Sequence, residues 1–312
     1  MVWKNFDLLA SYEALKGLDT VDVKTAMAGE NGAKRVAEYK IPMSNGMVYS
    51  YAAKQVDDDV LAALAKLAEE TQLVDKFAAL YNGEVVNTGE KRHVLHQLCR
   101  GQLGNDVMAD GVNKREFYVK QQERIAAFAK KVHNGEITNA DGEKFTTVVQ
   151  IGIGGSDLGP RAIYIALENW AKTNGKLKMN AAFISNVDPD DAAGVLGNID
   201  VKHSLFVLVS KSGTTLETLT NESFVKNALT EAGLDPSKHM IAVTSETSPL
   251  AKNEGYLDAF FMDDYIGGRY SSSSAVGGAV LSLAFGPEVF AEFLDGAAET
   301  DKLCKEPDVC KN

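Results

Sequence analysis

Cysteine is scarce in this 312-residue chain, with only Cys99, Cys304 and Cys310. Three such residues build no disulfide framework, and Cys304 and Cys310 have no histidine nearby at metal-site spacing. The expectation is a reduced, cytoplasmic protein. Basic charge is in deficit: 32 Lys and Arg stand against 43 Asp and Glu, a formal net charge of −11. Without a basic stripe to neutralise phosphates or a polybasic segment, neither nucleic acid nor an anionic membrane surface is expected as a partner. Long apolar runs are missing too. None reaches the roughly 18 residues of a transmembrane helix, and Met1 to Tyr12 lacks the apolar core of a signal peptide. What remains is ordinary globular composition, 45 % hydrophobic and 24 % charged. The length predicts two domains, or one large domain with an appendage.

Two textures divide the chain. Residues 1 to about 145 read as mainly helical and polar. Apolar residues from Val60 to Val74 recur near the 3.6 period and predict one helix over Asp57 to Lys76, with Asp57 to Asp59 as N-cap and first-turn carboxylates. Arg115 to His133 predicts a second helix, stopped at Asn134-Gly135. Between Tyr39 and Tyr51, apolar residues flank Asn45-Gly46 and predict a hairpin. From Thr146 onward, five short apolar runs appear: 147–153, 181–187, 205–209, 240–243 and 259–262. Continuous runs indicate strands buried on both faces, and strands alternating with helical patterns indicate a doubly wound parallel sheet. A Gly-, Ala- and Ser-rich helix over about 274–286 follows. In such sheets ligands bind outside the carboxyl ends of the strands.

Three loops lie there. The first, Gly152-Ile-Gly-Gly-Ser-Asp-Leu-Gly-Pro160, allows close approach of backbone N–H groups to an anion. It is neither a dinucleotide fingerprint, since Asp157 takes the third glycine position, nor a Walker A loop. A tight turn with Ser156 or Asp157 capping a helix is equally consistent with it. The second, Ser210-Lys-Ser-Gly-Thr-Thr215, sets four hydroxyls and a lysine between a buried strand and a helix, a cradle suited to a phosphate dianion. Helix capping by Ser212 or Thr214, with Glu217 as capping-box partner, is the alternative. The third, Ile266-Gly-Gly-Arg-Tyr-Ser271, aims an always-charged guanidinium from a sharp turn, or is a surface arginine beside turn glycines. The five histidines, His93, His96, His133, His203 and His239, are read as lying apart from these loops. His93 and His96 fall i, i+3 on an expected helix, as surface or packing residues, and no metal site is expected. The residues alone give a phosphate-binding α/β domain with an electrostatic arginine and no evident general base.

Ile-Gly-Ile-Gly-Gly-Ser-Asp-Leu-Gly-Pro at 151–160, Ser-Lys-Ser-Gly-Thr-Thr-Leu-Glu-Thr at 210–218 and Gly-Gly-Arg-Tyr-Ser at 267–271 resemble the glucose-6-phosphate isomerase (phosphoglucose isomerase) family. So does a fourth stretch with Gly83-Glu84, Asn87, Glu90-Lys-Arg92 and Leu95-His96. The second loop alone would indicate only the wider sugar isomerase (SIS) superfamily. The resemblance implies a three-layer α/β/α sandwich with a five-stranded parallel sheet and an N-terminal helical arm. It implies that Ser210, Lys211, Ser212 and Thr215 hold a hexose 6-phosphate, that Gly155 and Ser156 line the sugar site, and that Arg269 stabilises an enediolate. The implied activity interconverts glucose 6-phosphate and fructose 6-phosphate, with no metal or organic cofactor, in a full-length homodimer.

Family members are longer than 312 residues. Their remaining part carries a second SIS domain with the Glu that moves the C1/C2 proton, the ring-opening His and a late Lys. No Gln-x-x-x-Glu-Ser-x-Gly-Lys match occurs here. The expectation is therefore an N-terminal fragment divided into a helical segment 1–145, a sugar-phosphate domain 146–290 and the start of a second SIS domain at 291–312. It should hold a phosphate site and show little or no turnover alone. A non-catalytic sugar-phosphate-binding SIS module and another SIS phosphosugar isomerase are the competing readings.

Overall fold

The computed structural model describes residues 1, 3–101, 104–252, 254–309 and 311; Cys310 lies outside the described residues. Two compact units are present: Met1–Glu84 with Leu103–Asn105 and Gly296–Asn312, and Val85–Gln102 with Asp106–Asp295.

In the larger unit a long helix, α1 (Lys114–Asn134), precedes an alternating series: β1 (Thr147–Ile151), α2 (Leu158–Thr173), β2 (Asn180–Ile184), α3 (Pro189–Leu196), β3 (Ser204–Val209), α4 (Leu216–Glu231), β4 (Met240–Thr244), β5 (Ala259–Phe261) and α5 (Ala275–Phe285). The strands pair in parallel in the order β2-β1-β3-β4-β5. Val148 stands opposite Ala181 on one side and Leu205 on the other.

The five apolar runs are strands because both faces of the sheet are covered. Val148, Leu205, Val207, Val209, Ile241 and Val243 point to one face, where Ile125, Phe128 and Val132 of α1, Tyr164 of α2 and most of α5 pack. Val149, Ile151, Phe206, Leu208, Met240 and Ala242 point to the other, against Ala192 of α3 and Val225 and Leu229 of α4. Alternation by two thus yields two cores and a continuous apolar run in the sequence. All eleven residues of α5 are buried. A Cβ at Gly277 would stand 2.0 Å from the Ser272 carbonyl oxygen, so only glycine lets this helix begin against the loop before it.

α1 starts where the Asn113 side chain accepts from the backbone N–H groups of Arg115 and Glu116, and it ends at Gly135 with φ +81°. The end follows the sequence signal at Asn134-Gly135, and the start falls one residue before the expected Arg115, at the Asn113 cap.

In the smaller unit the expected hairpin is present: Lys40–Pro42 pairs antiparallel with Val48–Ser50, around Asn45 at φ 56° and Gly46 at φ 74°. The single helix expected over Asp57 to Lys76 is instead two, Asp58–Glu70 and Leu73–Tyr81. Gln72 between them is left-handed, at φ 54°. The Thr71 hydroxyl donates to the Leu67 and Ala68 carbonyls, occupying acceptors at the end of the first helix. The apolar spacing carries across the break, so periodicity could not reveal it. Tyr81 is fully buried and donates to Asp301 at 2.7 Å.

At the edge of the sheet opposite the strands' carboxyl ends, Glu143 accepts from Lys202 (2.9 Å), Asn139 and His203. The Lys202 bond, followed by the Asn139 bond, pulls its carboxyl down to about 2 from an ordinary 4.5. A depressed carboxylate stabilises the fold above its unfolded value, and that contribution is lost as pH falls toward the folded value. Thermal melts should therefore show Glu143→Gln losing less of its midpoint than the parent between pH 5 and 2. Parallel curves would show that this carboxylate does not couple to folding. His203, raised by its bond to Asp200, has the opposite sign: its contribution holds below about 6.5 and fades as pH rises.

Candidate functional site

The strand order reverses between β1 and β3, so neighbouring crossovers leave in opposite directions there; in open sheets of this kind that switch point is where a crevice forms at the carboxyl edge. The first two loops flank that crevice, because Ile151 and Leu208 stand side by side just before them.

After β1, Gly154 takes φ +58°, and the chain turns through Gly154–Ser156 into α2. The Gln150 amide donates to the Ser156 carbonyl at 2.5 Å and fixes the turn from beneath. Ser156 is half-buried, and Asp157 behind it is buried. Arg161 pairs with Asp157 at 2.8 Å and also donates to Ser185. Burial nonetheless holds the Asp157 carboxyl above its ordinary range, the arginine offsetting only part of the lost hydration. Asp157 therefore braces the turn.

After β3, the Ser210 hydroxyl donates toward Thr215 at 3.3 Å and accepts from the Gly213 N–H at 3.1 Å. Gly213 stands at φ +68°, where a Cβ would meet the Ser248 hydroxyl at 2.1 Å, so the loop requires glycine on both counts. The Thr244 hydroxyl at the end of β4 and the Ser245 N–H just beyond it donate to the Ser210 and Lys211 carbonyls respectively. Thr215 is the N-cap residue of α4 but makes no side-chain cap bond. Ser212 accepts from the Thr214 N–H and hydroxyl within the loop and does not cap the helix. The capping alternative thus leaves the first amides of α4 without a side-chain acceptor among the described residues. A dianion is the partner such a terminus favours.

The third loop packs directly on the first. A Cβ at Gly155 would lie 2.2 Å from the Gly268 carbonyl carbon, and the Ser271 hydroxyl is within bonding distance of both the Gly155 and Gly268 carbonyls. Arg269 is exposed, and its side chain has no ion-pair or hydrogen-bond partner among the described residues. Lys211 reaches the stretch leading into this loop through Asp264, at 3.2 Å.

The loop that carries Gly155 and Ser156 therefore packs on the loop that carries Arg269, while the loop of Ser210, Lys211, Ser212 and Thr215 adjoins them through strand adjacency and the Lys211–Asp264 pair. Among the described residues no direct hydrogen bond links Ser212 or Thr215 to Ser156 or Arg269. Glu217 sits exposed in the first turn of α4.

One expectation fails here. His96 does not lie apart from the loops: its Nε2 accepts from the Gly267 N–H at 2.9 Å, and its ring meets Tyr270 edge-on. Nor do His93 and His96 share a helix, because only a short 3-10 turn, His96–Cys99, forms there. The partner lies 171 residues away in sequence, and the only signal was the fourth motif, which contained His96.

A doubly wound parallel sheet, with a hydroxyl-rich loop at its switch point and an arginine loop packed beside it, defines an α/β protein of the three-layer class. A sequence profile of the phosphoglucose isomerase family matches residues 50–312, and the chain belongs to that family. It is 54 % identical over 317 residues to the glucose-6-phosphate isomerase of Treponema denticola, covering all of this chain and 60 % of that protein. It is 44 % identical to that of Borreliella burgdorferi, over 99 % of this chain and 58 % of that protein. The crystal structure of a glucose-6-phosphate isomerase from Chlamydia trachomatis superposes with a TM-score of 0.85 at 37 % identity, over 99 % of this chain and 58 % of that one. The chain thus spans about 60 % of the length of the curated relatives it matches. The three-layer architecture expected from the sequence holds. Among the described residues no helix is long and apolar enough to cross a membrane.

Proposed function

We propose that this chain binds a hexose 6-phosphate and takes part in interconverting glucose 6-phosphate and fructose 6-phosphate through a cis-enediol. The observation that carries this reading is the uncapped start of α4 behind a loop of hydroxyls, at the crevice between β1 and β3. Ser210, Ser212 and Thr215 and the first amides of α4 hold the phosphate. Lys211 adds positive charge, shared with Asp264. Gly155 and Ser156 line the sugar. Arg269, unpaired and always protonated, faces the negative charge that builds as the C2 proton leaves. A preorganised group of this kind lowers the barrier by about 3 kcal/mol. The proposal assigns no proton-transferring base to this chain. The family membership supports extending the reading to a full-length homodimer in the cytoplasm.

A single substitution separates phosphate binding from capping. Thr215→Asp places a good cap and a negative charge at the start of α4, which should raise stability by about 1 kcal/mol. The same charge should weaken binding of glucose 6-phosphate and of inorganic phosphate by roughly 30-fold or more, since two anions cannot share one helix terminus without a cation between them. Calorimetric titration and thermal melts on the 312-residue chain read both effects. Parent protein that binds neither ligand, or a variant that binds as well as the parent, overturns the proposal.

A further inference from the structure

The fourth motif has no role in the scheme above, yet the structure brings its histidine to the base of the arginine loop. His96 Nε2 faces two backbone atoms of one residue, the Gly267 N–H at 2.9 Å and the Gly267 carbonyl oxygen at 3.2 Å. One ring nitrogen cannot accept from the first and donate to the second at the same time. Each backbone atom has a fixed role, and the N–H approach is the shorter by 0.3 Å, so Nε2 is assigned as the acceptor and the ring proton to Nδ1. Gly267 is the residue from which the chain turns into Gly268–Ser273, the turn that carries Arg269. The Tyr270 ring closes on the imidazole edge at a centroid distance of 6.1 Å.

We infer that His96 is a positioning residue for Arg269: its neutral ring fixes the Gly267 peptide and so aims the guanidinium at the charge of the enediolate. The inference rests on the function proposed above. Burial keeps the imidazole below its ordinary value, in the neutral form the geometry requires. Arg100 and Lys211 face it with positive charge and also favour neutrality, while Asp263 and the Gly267 carbonyl oppose them. Below its titration point, Nε2 gains a proton and can only donate to the Gly267 carbonyl, so the peptide must turn and the arginine loses its aim.

Two measurements on the 312-residue chain test this. In nitrogen-15 spectra of the ligand-free protein, Nε2 should show the unprotonated signature at pH 7. The Gly267 and Arg269 amide signals should shift together with the His96 titration, at a midpoint below 6.5. A proton on Nε2 at pH 7, or amides that ignore the titration, overturns the inference. The second measurement compares two probes by calorimetry. Inorganic phosphate reads the hydroxyl loop; a pentonic acid 5-phosphate, whose carboxylate imitates the enediolate oxygens, reads the arginine as well.

His96→Ala should weaken the pentonate probe at least 10-fold and leave inorganic phosphate within twofold. His96→Gln, which offers an acceptor at a similar reach, should recover most of the loss. Adding His96→Ala to Arg269→Ala should bring no further loss. Equal weakening of both probes, or additive losses in the double variant, overturns the inference. Parent protein that binds neither probe instead removes the proposed function, while the spectra still decide whether His96 holds the Gly267 turn.

Discussion

Gly155→Ala is expected to lower the melting point of the larger unit by roughly 6–12 °C and to abolish measurable hexose 6-phosphate binding. The added methyl would stand 2.2 Å from the Gly268 carbonyl carbon, 2.3 Å from its oxygen and 2.7 Å from its Cα. All three are backbone atoms, so no side chain can swing away. One loop must move, and overpacking of this kind destabilises by about 3 kcal/mol, which in a unit of this size gives the stated shift. The movement separates Ser156 from the arginine turn, hence the loss of binding. Gly154→Ala provides the comparison. Gly154 has a positive φ of 58° but nothing within 4 Å of a Cβ, so only local backbone strain of about 1 kcal/mol applies. Thermal melts and titrations of the two variants should differ sharply. Equal behaviour would show that the Gly155–Gly268 packing is not what joins the loops.

Lys114→Ala is expected to remove about 3 kcal/mol of stability, because it strands a largely buried carboxylate. The Lys114 side chain is 8 % exposed and that of Asp263 17 % exposed. The ammonium lies 3.2 Å from Asp263 Oδ2, as an ion pair outside hydrogen-bond geometry, and 3.5 Å from Asp110, which is well solvated. Tyr118 and the Tyr265 N–H donate to the other Asp263 oxygen. Asp263 begins the stretch that leads to Arg269, so its anchoring is felt at the site. Chemical denaturation checks the magnitude. Asp263→Asn in the Lys114→Ala background should recover part of the loss, since the uncompensated charge is then gone. A loss below about 1 kcal/mol would place this pair with exposed ion pairs of little consequence.

The legible parts of the fold were those set by local pattern. The strands of the sheet were readable because burial on both faces leaves continuous apolar runs, as at Leu205 to Val209. Asn134-Gly135 and Asn45-Gly46 carry their own conformational preferences, so the end of α1 and the hairpin turn followed. The break at Gln72 was hidden, because Leu67, Ala68 and Val74 keep the helical spacing across a left-handed residue that is not glycine or asparagine. At the site, the positions of the three loops after their strands were legible from the hydroxyls, glycines and arginine that follow the apolar runs. Their mutual contacts were not. Gly155 against Gly268 and His96 against Gly267 are pairings over more than a hundred residues, and a glycine's sequence does not say what stands where its side chain would be.

The distance along the chain between Gly155 and Gly268 bears on how the protein is made. A ribosome adding about 5–20 residues per second needs on the order of ten seconds to travel from one to the other. Through that interval the nascent first loop has no lid of backbone over its glycine, and the hydroxyl loop emerges about midway. The three loops therefore come together only after translation has passed the arginine turn.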